Sequence, residues 1–174
     1  MARRIFALGA LALGLVFAAS PAAAQVNRFN YAVGAFGGIG GSPETDEFGE
    51  ASFQGLFAVD IAHRTWFTVR AGQLEIDDTD ETRAGDLSYL TLTGEYRMPT
   101  DFYESGLFLG LGFYDVESDD GVVTDDALGV TLGVTGDFQL TPRWSIVVEL
   151  SGHWADLDDV QGFIMGHGGV VFRF

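Results

Sequence analysis

The sequence predicts an all-β fold in which eight antiparallel strands run up and down and close into a barrel, and three observations carry that prediction. First, from Asn27 onward apolar and polar residues alternate with period two in segment after segment, with no sustained helical period. The segments fall at 29–41, 50–61, 66–76, 86–97, 103–116, 126–140, 144–154 and 163–174, which makes eight strands. Second, the connections alternate in kind: 62–65, 98–102 and 141–143 are short, whereas 42–49, 77–85, 117–125 and 155–162 are longer. Third, the final segment still alternates, with Val170, Phe172 and Phe174 on one face and Val171 and Arg173 on the other.

Before the first strand, residues 1–24 read as a secretory signal peptide, leaving 25–174 as the barrel. Arg3 and Arg4 precede the apolar run Ile5 to Phe17, and Pro21, Ala22 and Ala24 lead to Gln25. That run has 13 residues, short of the roughly 20 that cross a bilayer as a helix. The chain of 174 residues has 24 glycines and no Cys. An exported chain of this kind must hold together by its hydrogen-bonded ladder and its packing, and a closed barrel does so without leaving a strand edge unpaired.

Strand 144–154 shows the pattern best. Trp144, Ile146, Val148, Leu150 and Trp154 share one face, against Ser145, Val147, Glu149, Ser151 and His153. Its 11 residues, rising about 3.3 Å each and tilted by about 40°, cover roughly 25 Å, the height of a membrane barrel's apolar band. The two Trp then mark the two interfaces. Strand 126–140 repeats the arrangement with Leu128, Val130, Leu132, Val134 and Phe138 against Thr131, Thr135, Asp137 and Gln139, and so does 50–61 with Phe53, Phe57, Val59 and Ile61 against Ser52, Gln54 and Asp60.

Alternation alone does not say which face is inside. A soluble ligand-binding barrel turns its apolar face inward and a membrane barrel turns it toward lipid. Gly34, Gly38, Gly106, Gly110, Gly112, Gly129 and Gly133 sit on the polar face, as a crowded lumen needs. The G-x-W signature of lipocalins is missing, since no Trp precedes Trp66. With its strand count, loop asymmetry and aromatic terminus, the mature chain resembles the small Gram-negative outer-membrane barrels of the OmpA transmembrane domain and OmpX class. The resemblance implies an eight-stranded antiparallel up-and-down transmembrane β-barrel in the bacterial outer membrane, among outer-membrane lipids and lipopolysaccharide. It also implies that Val170, Phe172 and Phe174 form the signal read by the barrel assembly machinery. No peptidoglycan-binding domain is expected to follow.

Parity assigns Asp60, Arg70, Glu95, Glu104, Asp137, Glu149 and Arg173 to the lumen, with His153 and His167 nearby. An eight-stranded interior is just wide enough for side chains, so these charges are expected to pair as a structural ion network. His167 must lie opposite an inward residue of the preceding strand, Glu149, Ser151 or His153, and Glu149 is the favoured partner. A gated small-solute channel is the alternative. Glu149, Ser151 and His153 also stand at alternate positions of one face, the residue types of a serine hydrolase. Outer-membrane lipid-modifying hydrolases place the His before the Ser and face the bilayer, and here the order is reversed and the set faces the lumen. A metal held by His153, His167 and Glu149 lacks recognisable ligand spacing.

Nineteen of the 25 acidic residues fall in the long connections or on the strand ends that flank them. Removing Arg3 and Arg4 leaves 7 Arg against 25 acids, a charge of −18, and there is no Lys. Recognition of nucleic acid is therefore excluded. The acids form either a solvated rim or weak Ca²⁺ sites at Asp77, Asp78, Asp80, Asp119, Asp120, Asp156, Asp158 and Asp159, although no EF-hand spacing is present. Nothing calls for a cofactor. The reading is a non-enzymatic barrel with a structural or surface-interaction role.

Overall fold

The computed structural model describes residues 30–43, 47–76, 85–118, 124–157 and 161–174. They form β1 Tyr31–Ser42, β2 Glu47–Ala62, β3 Thr65–Ile76, β4 Gly85–Pro99, β5 Glu104–Ser118, β6 Thr124–Gln139, β7 Trp144–Ala155 and β8 Gly162–Arg173. Each strand pairs antiparallel with the next, and β8 returns to β1 to close the barrel. The expected signal segment 1–24 and its junction lie outside the described residues.

All eight expected strands are present, but several run further than the alternation suggested. β2 begins at Glu47, β5 ends at Ser118 and β6 begins at Thr124. The ladder continues through acidic residues, pairing Asp86 with Glu117 and Asp115 with Asp126, because it needs only backbone groups. The difference in length between the two sets of connections is accordingly smaller. The strands leave 63–64, 100–103 and 140–143 between them on one side, against 43–46, 77–84, 119–123 and 156–161 on the other.

The faces settle which way the barrel is turned. Outward Leu111 and Leu128 are 66% and 77% exposed, whereas inward Arg70 and Glu95 are 1% and 2% exposed. Apolar side chains thus clothe the outside and charges fill the inside, the reverse of a soluble barrel. Trp144 and Trp154 point outward from opposite ends of β7.

Closure is fastened beside the turns. Tyr31 N donates to Phe174 O at 3.1 Å and Phe174 N donates to Tyr31 O at 2.9 Å. An aromatic row crosses the same seam from β7 to β2. Ring centroids are 4.8 Å apart for Trp144 and Phe172, 6.1 Å for Phe172 and Phe174, 5.8 Å for Phe174 and Tyr31, and 6.4 Å for Tyr31 and Phe57. The residues expected to carry the assembly signal therefore also sit in the closing seam.

Luminal glycines let neighbours approach closely. A Cβ at Gly110 would overlap the Leu92 carbonyl oxygen, and one at Gly129 the Trp154 carbonyl oxygen. Outward Gly152 and Gly168 have nothing within 4 Å of such an atom. Chemical unfolding in detergent should therefore show Gly110→Ala and Gly129→Ala well below the parent in stability, with Gly152→Ala and Gly168→Ala near it. Deleting Phe174, or changing Phe172 and Phe174 to Ser, should leave export intact while lowering the heat-modifiable, folded fraction in the outer membrane.

The luminal ion network as candidate functional site

Inward positions on β3, β4, β6, β7 and β8 bring three arginines and three carboxylates into one chain of contacts. Arg70 is its hub. Its Nε donates to Glu149 Oε2 at 3.0 Å, Nη1 to Thr93 Oγ1 at 2.6 Å and Nη2 to Glu95 Oε2 at 3.2 Å, while its guanidinium lies 4.0 Å from the centroid of the Phe108 ring. Arg97 Nε donates to Glu95 Oε1 at 2.9 Å, and Arg97 Nη1 lies 3.6 Å from Asp137 Oδ2. Arg173 completes the chain by donating to Asp137 and to Ser145. Gln54 Nε2 donates to Glu149 Oε1 at 3.2 Å, and the Tyr89 hydroxyl donates to Gln54 Oε1 at 3.0 Å.

Six charges, three of each sign, therefore sum to zero. A buried charge is tolerable only when paired and hydrogen-bonded, and this set meets both conditions. Two apolar clusters flank the polar interior. One, with Phe36, Leu56, Trp66, Val147 and Val171, packs on the turn side, and the Arg97 guanidinium lies 4.5 Å from the Trp66 centroid. The other, with Leu74, Leu87, Tyr114, Phe163 and Met165, lies on the loop side.

Solved structures share this architecture. The chain is similar to the N-terminal β-barrel domain of Pseudomonas aeruginosa OprF, with TM-score 0.60 and 16% identity over 84% of this chain and 98% of that one. It is similar to Neisserial surface protein A, with TM-score 0.61 and 15% identity over 86% of this chain and 100% of that one. The chain has the fold of the small outer-membrane β-barrels. A chain from the de novo design of transmembrane β-barrels matches this outer-membrane barrel fold as well, at TM-score 0.50 and 10% identity over 87% and 100% of the two chains. The likeness is therefore one of architecture. No protein-family model and no curated protein matches the chain.

Within this outer-membrane barrel fold, five of the expected luminal charges, Arg70, Glu95, Asp137, Glu149 and Arg173, join the network. Asp60 and Glu104 do not: both have inward parity, but they stand at strand ends on the turn-side rim, where Asp60 is half-buried and Glu104 exposed. The register places His167 opposite Glu149 as expected. The side chains nevertheless part, because Glu149 is taken by Arg70 and Gln54 and His167 Nε2 lies 2.9 Å from Ser52 Oγ. His153 has Ser151 Oγ at 3.0 Å and the Tyr114 hydroxyl at 2.9 Å on its two ring nitrogens. Ser151 and His153 thus meet without a carboxylate on the imidazole, and His153, His167 and Glu149 do not converge as metal ligands. Among the described residues no group of three or more His, Cys, Asp and Glu is placed to hold a metal.

Sequence reasoning misses several participants, among them Arg97, Trp66, Thr93 and Phe108. Arg97 shares the parity of Glu95, which is the available signal. Trp66 shares the parity of Arg70. Of the proposed Ca²⁺ residues, Asp156 is exposed, and Asp77, Asp78, Asp80, Asp119, Asp120, Asp158 and Asp159 lie outside the described residues. Removing one partner of a buried pair leaves the other charge uncompensated, so Glu149→Gln should cost roughly 3–5 kcal/mol in reversible unfolding. Asp60→Asn and Glu104→Gln should stay within about 0.5 kcal/mol of the parent.

Proposed function

We propose that the protein is a non-enzymatic integral barrel of the bacterial outer membrane with a structural or surface-interaction role. The charge-balanced network spanning the lumen supports this reading most, because Arg70 of β3 reaches Glu149 of β7 across the interior and ties opposite walls together. Neisserial surface protein A, among the similar structures, is named for the cell surface. The outside wall meets outer-membrane lipids through its apolar side chains, and the closing strand is the part offered to the barrel assembly machinery.

Lipopolysaccharide phosphates and divalent cations are the partners that fit the acidic end. The register sets Glu75 opposite Asp86 and Asp86 opposite Glu117, all three exposed on the outer wall just above the apolar side chains. Like charges directly opposite one another destabilise a sheet. A divalent ion shared between such carboxylates and a lipid phosphate relieves that repulsion, and Ca²⁺ accepts the flexible oxygen geometry this requires.

Purified protein in planar bilayers should show no stable conductance steps, and lipid A from cells with and without the protein should have the same mass spectrum. Conductance would favour a small-solute channel, and altered lipid A a hydrolase. Millimolar CaCl₂ should raise the thermal transition in detergent with lipopolysaccharide more than NaCl of equal ionic strength does. Equal shifts would reduce the acids to a solvated rim.

A further inference from the structure

Three buried polar groups lie between the Arg70 network and the loop-side apolar cluster without a hydrogen-bond partner. They are Thr91 Oγ1, Thr131 Oγ1 and His167 Nδ1. Thr91 and Thr131 are fully buried and His167 is 4% exposed. Ser52 Oγ lies 2.9 Å from the Gln73 carbonyl oxygen and 2.9 Å from His167 Nε2. In either tautomer His167 Nδ1 is buried without a partner of its own.

A hydroxyl or imidazole nitrogen buried without a partner is destabilising, and this barrel carries three of them between its charged network and its loop-side cluster. Their surroundings are polar. Thr131 stands opposite His153 in the register and Thr91 opposite Arg70. Ser52 Oγ lies beside His167, and Ser151 Oγ lies 3.0 Å from the Nε2 of His153, the residue opposite Thr131. Buried water settles where two to four polar groups can reach it, and β2, β4, β6, β7 and β8 each turn a buried polar side chain inward here.

We propose that this storey is an internal hydration site, closed by two barriers of different chemistry. Toward the turns it is closed by the charged lock of Arg70, Glu95, Arg97, Asp137, Glu149 and Arg173. Toward the loops it is closed by a dry apolar plug to which Leu74, Leu87, Leu157, Phe163 and Met165 contribute, all at most 3% exposed. The ligand class is water, together with any small hydrated solute admitted when the plug is loosened. The inference goes beyond the closed-barrel reading: it makes the plug, and not the lock, the barrier on the outer side. Apolar constrictions bar water and ions by staying dry, without any charge.

The absence of Cys in the chain makes a single engineered thiol a clean probe. Thr131→Cys, folded in lipid vesicles, is treated with a small hydrophilic thiol reagent, alone and combined with Leu87→Ala and Met165→Ala. The parent background should take up no label, and the plug-loosened barrel should gain the reagent's mass while Val147→Cys, opposite Asp137 of the lock and packed in the turn-side cluster, stays unlabelled in both. A folded, plug-loosened barrel that leaves the thiol at position 131 unmodified would overturn the proposal. Thr131→Val supplies a second reading that does not depend on the plug variants folding. Loss of a hydrated hydroxyl should lower the unfolding midpoint. A raised midpoint would mean that the hydroxyl had been dry and orphaned, and would also overturn the proposal. Conductance by the unmodified protein would contradict the closed-barrel function instead, so the two failures are distinct.

Discussion

Charge neutrality inside a closed wall is the constraint on which this barrel depends. Closing eight strands leaves an interior only wide enough for side chains, and facing the apolar residues outward sends the charged ones into that space. Three guanidiniums and three carboxylates can stay there because each touches an opposite charge and most of their remaining donors and acceptors are engaged. The contacts run between strands that are not neighbours, as from β3 to β7, so the network braces the wall from within. The two apolar clusters and the planar faces of Phe108 and Trp66 complete the filling.

The same constraint explains the uneven charge of the surface. The luminal set is neutral, so the large negative excess must sit elsewhere, and much of it lies at the loop end. Acidic residues there occupy strand extensions as well as loops, with Glu75, Asp86 and Glu117 in one outward row. Net charge of this size keeps the exposed end soluble but gives the ladder no stability of its own. In the proposed role, a shared cation would turn that repulsion into attachment to the lipid surface.

Much of the fold was legible because a period of two is a strong signal when one face meets lipid. Strand number and parity follow from it, and parity narrows the residue opposite His167 to Glu149, Ser151 or His153, of which the register selects the favoured Glu149. Contacts across the lumen do not follow, since they depend on how far the sheet is sheared when it closes. Arg70 reaches Glu149 only in the closed barrel, and that contact displaces the expected His167 partner. Asp60 and Glu104 show the limit of parity, which gives the side a residue faces but not whether it lies within the lumen or past its rim. The polar storey of Thr91 and Thr131 was illegible for a different reason: threonine is an ordinary strand residue, and only burial without a partner makes it informative.

Single cysteines along β7, carrying an environment-sensitive fluorophore in vesicles with lipid-borne or aqueous quenchers, test the inside-out arrangement most directly. The account predicts lipid quenching at Ile146, Val148, Leu150 and Gly152, with Val147 and Ser151 shielded from both quenchers or refusing the label. Aqueous quenching at the even positions, free labelling of the odd ones, or loss of the two-residue period would contradict it.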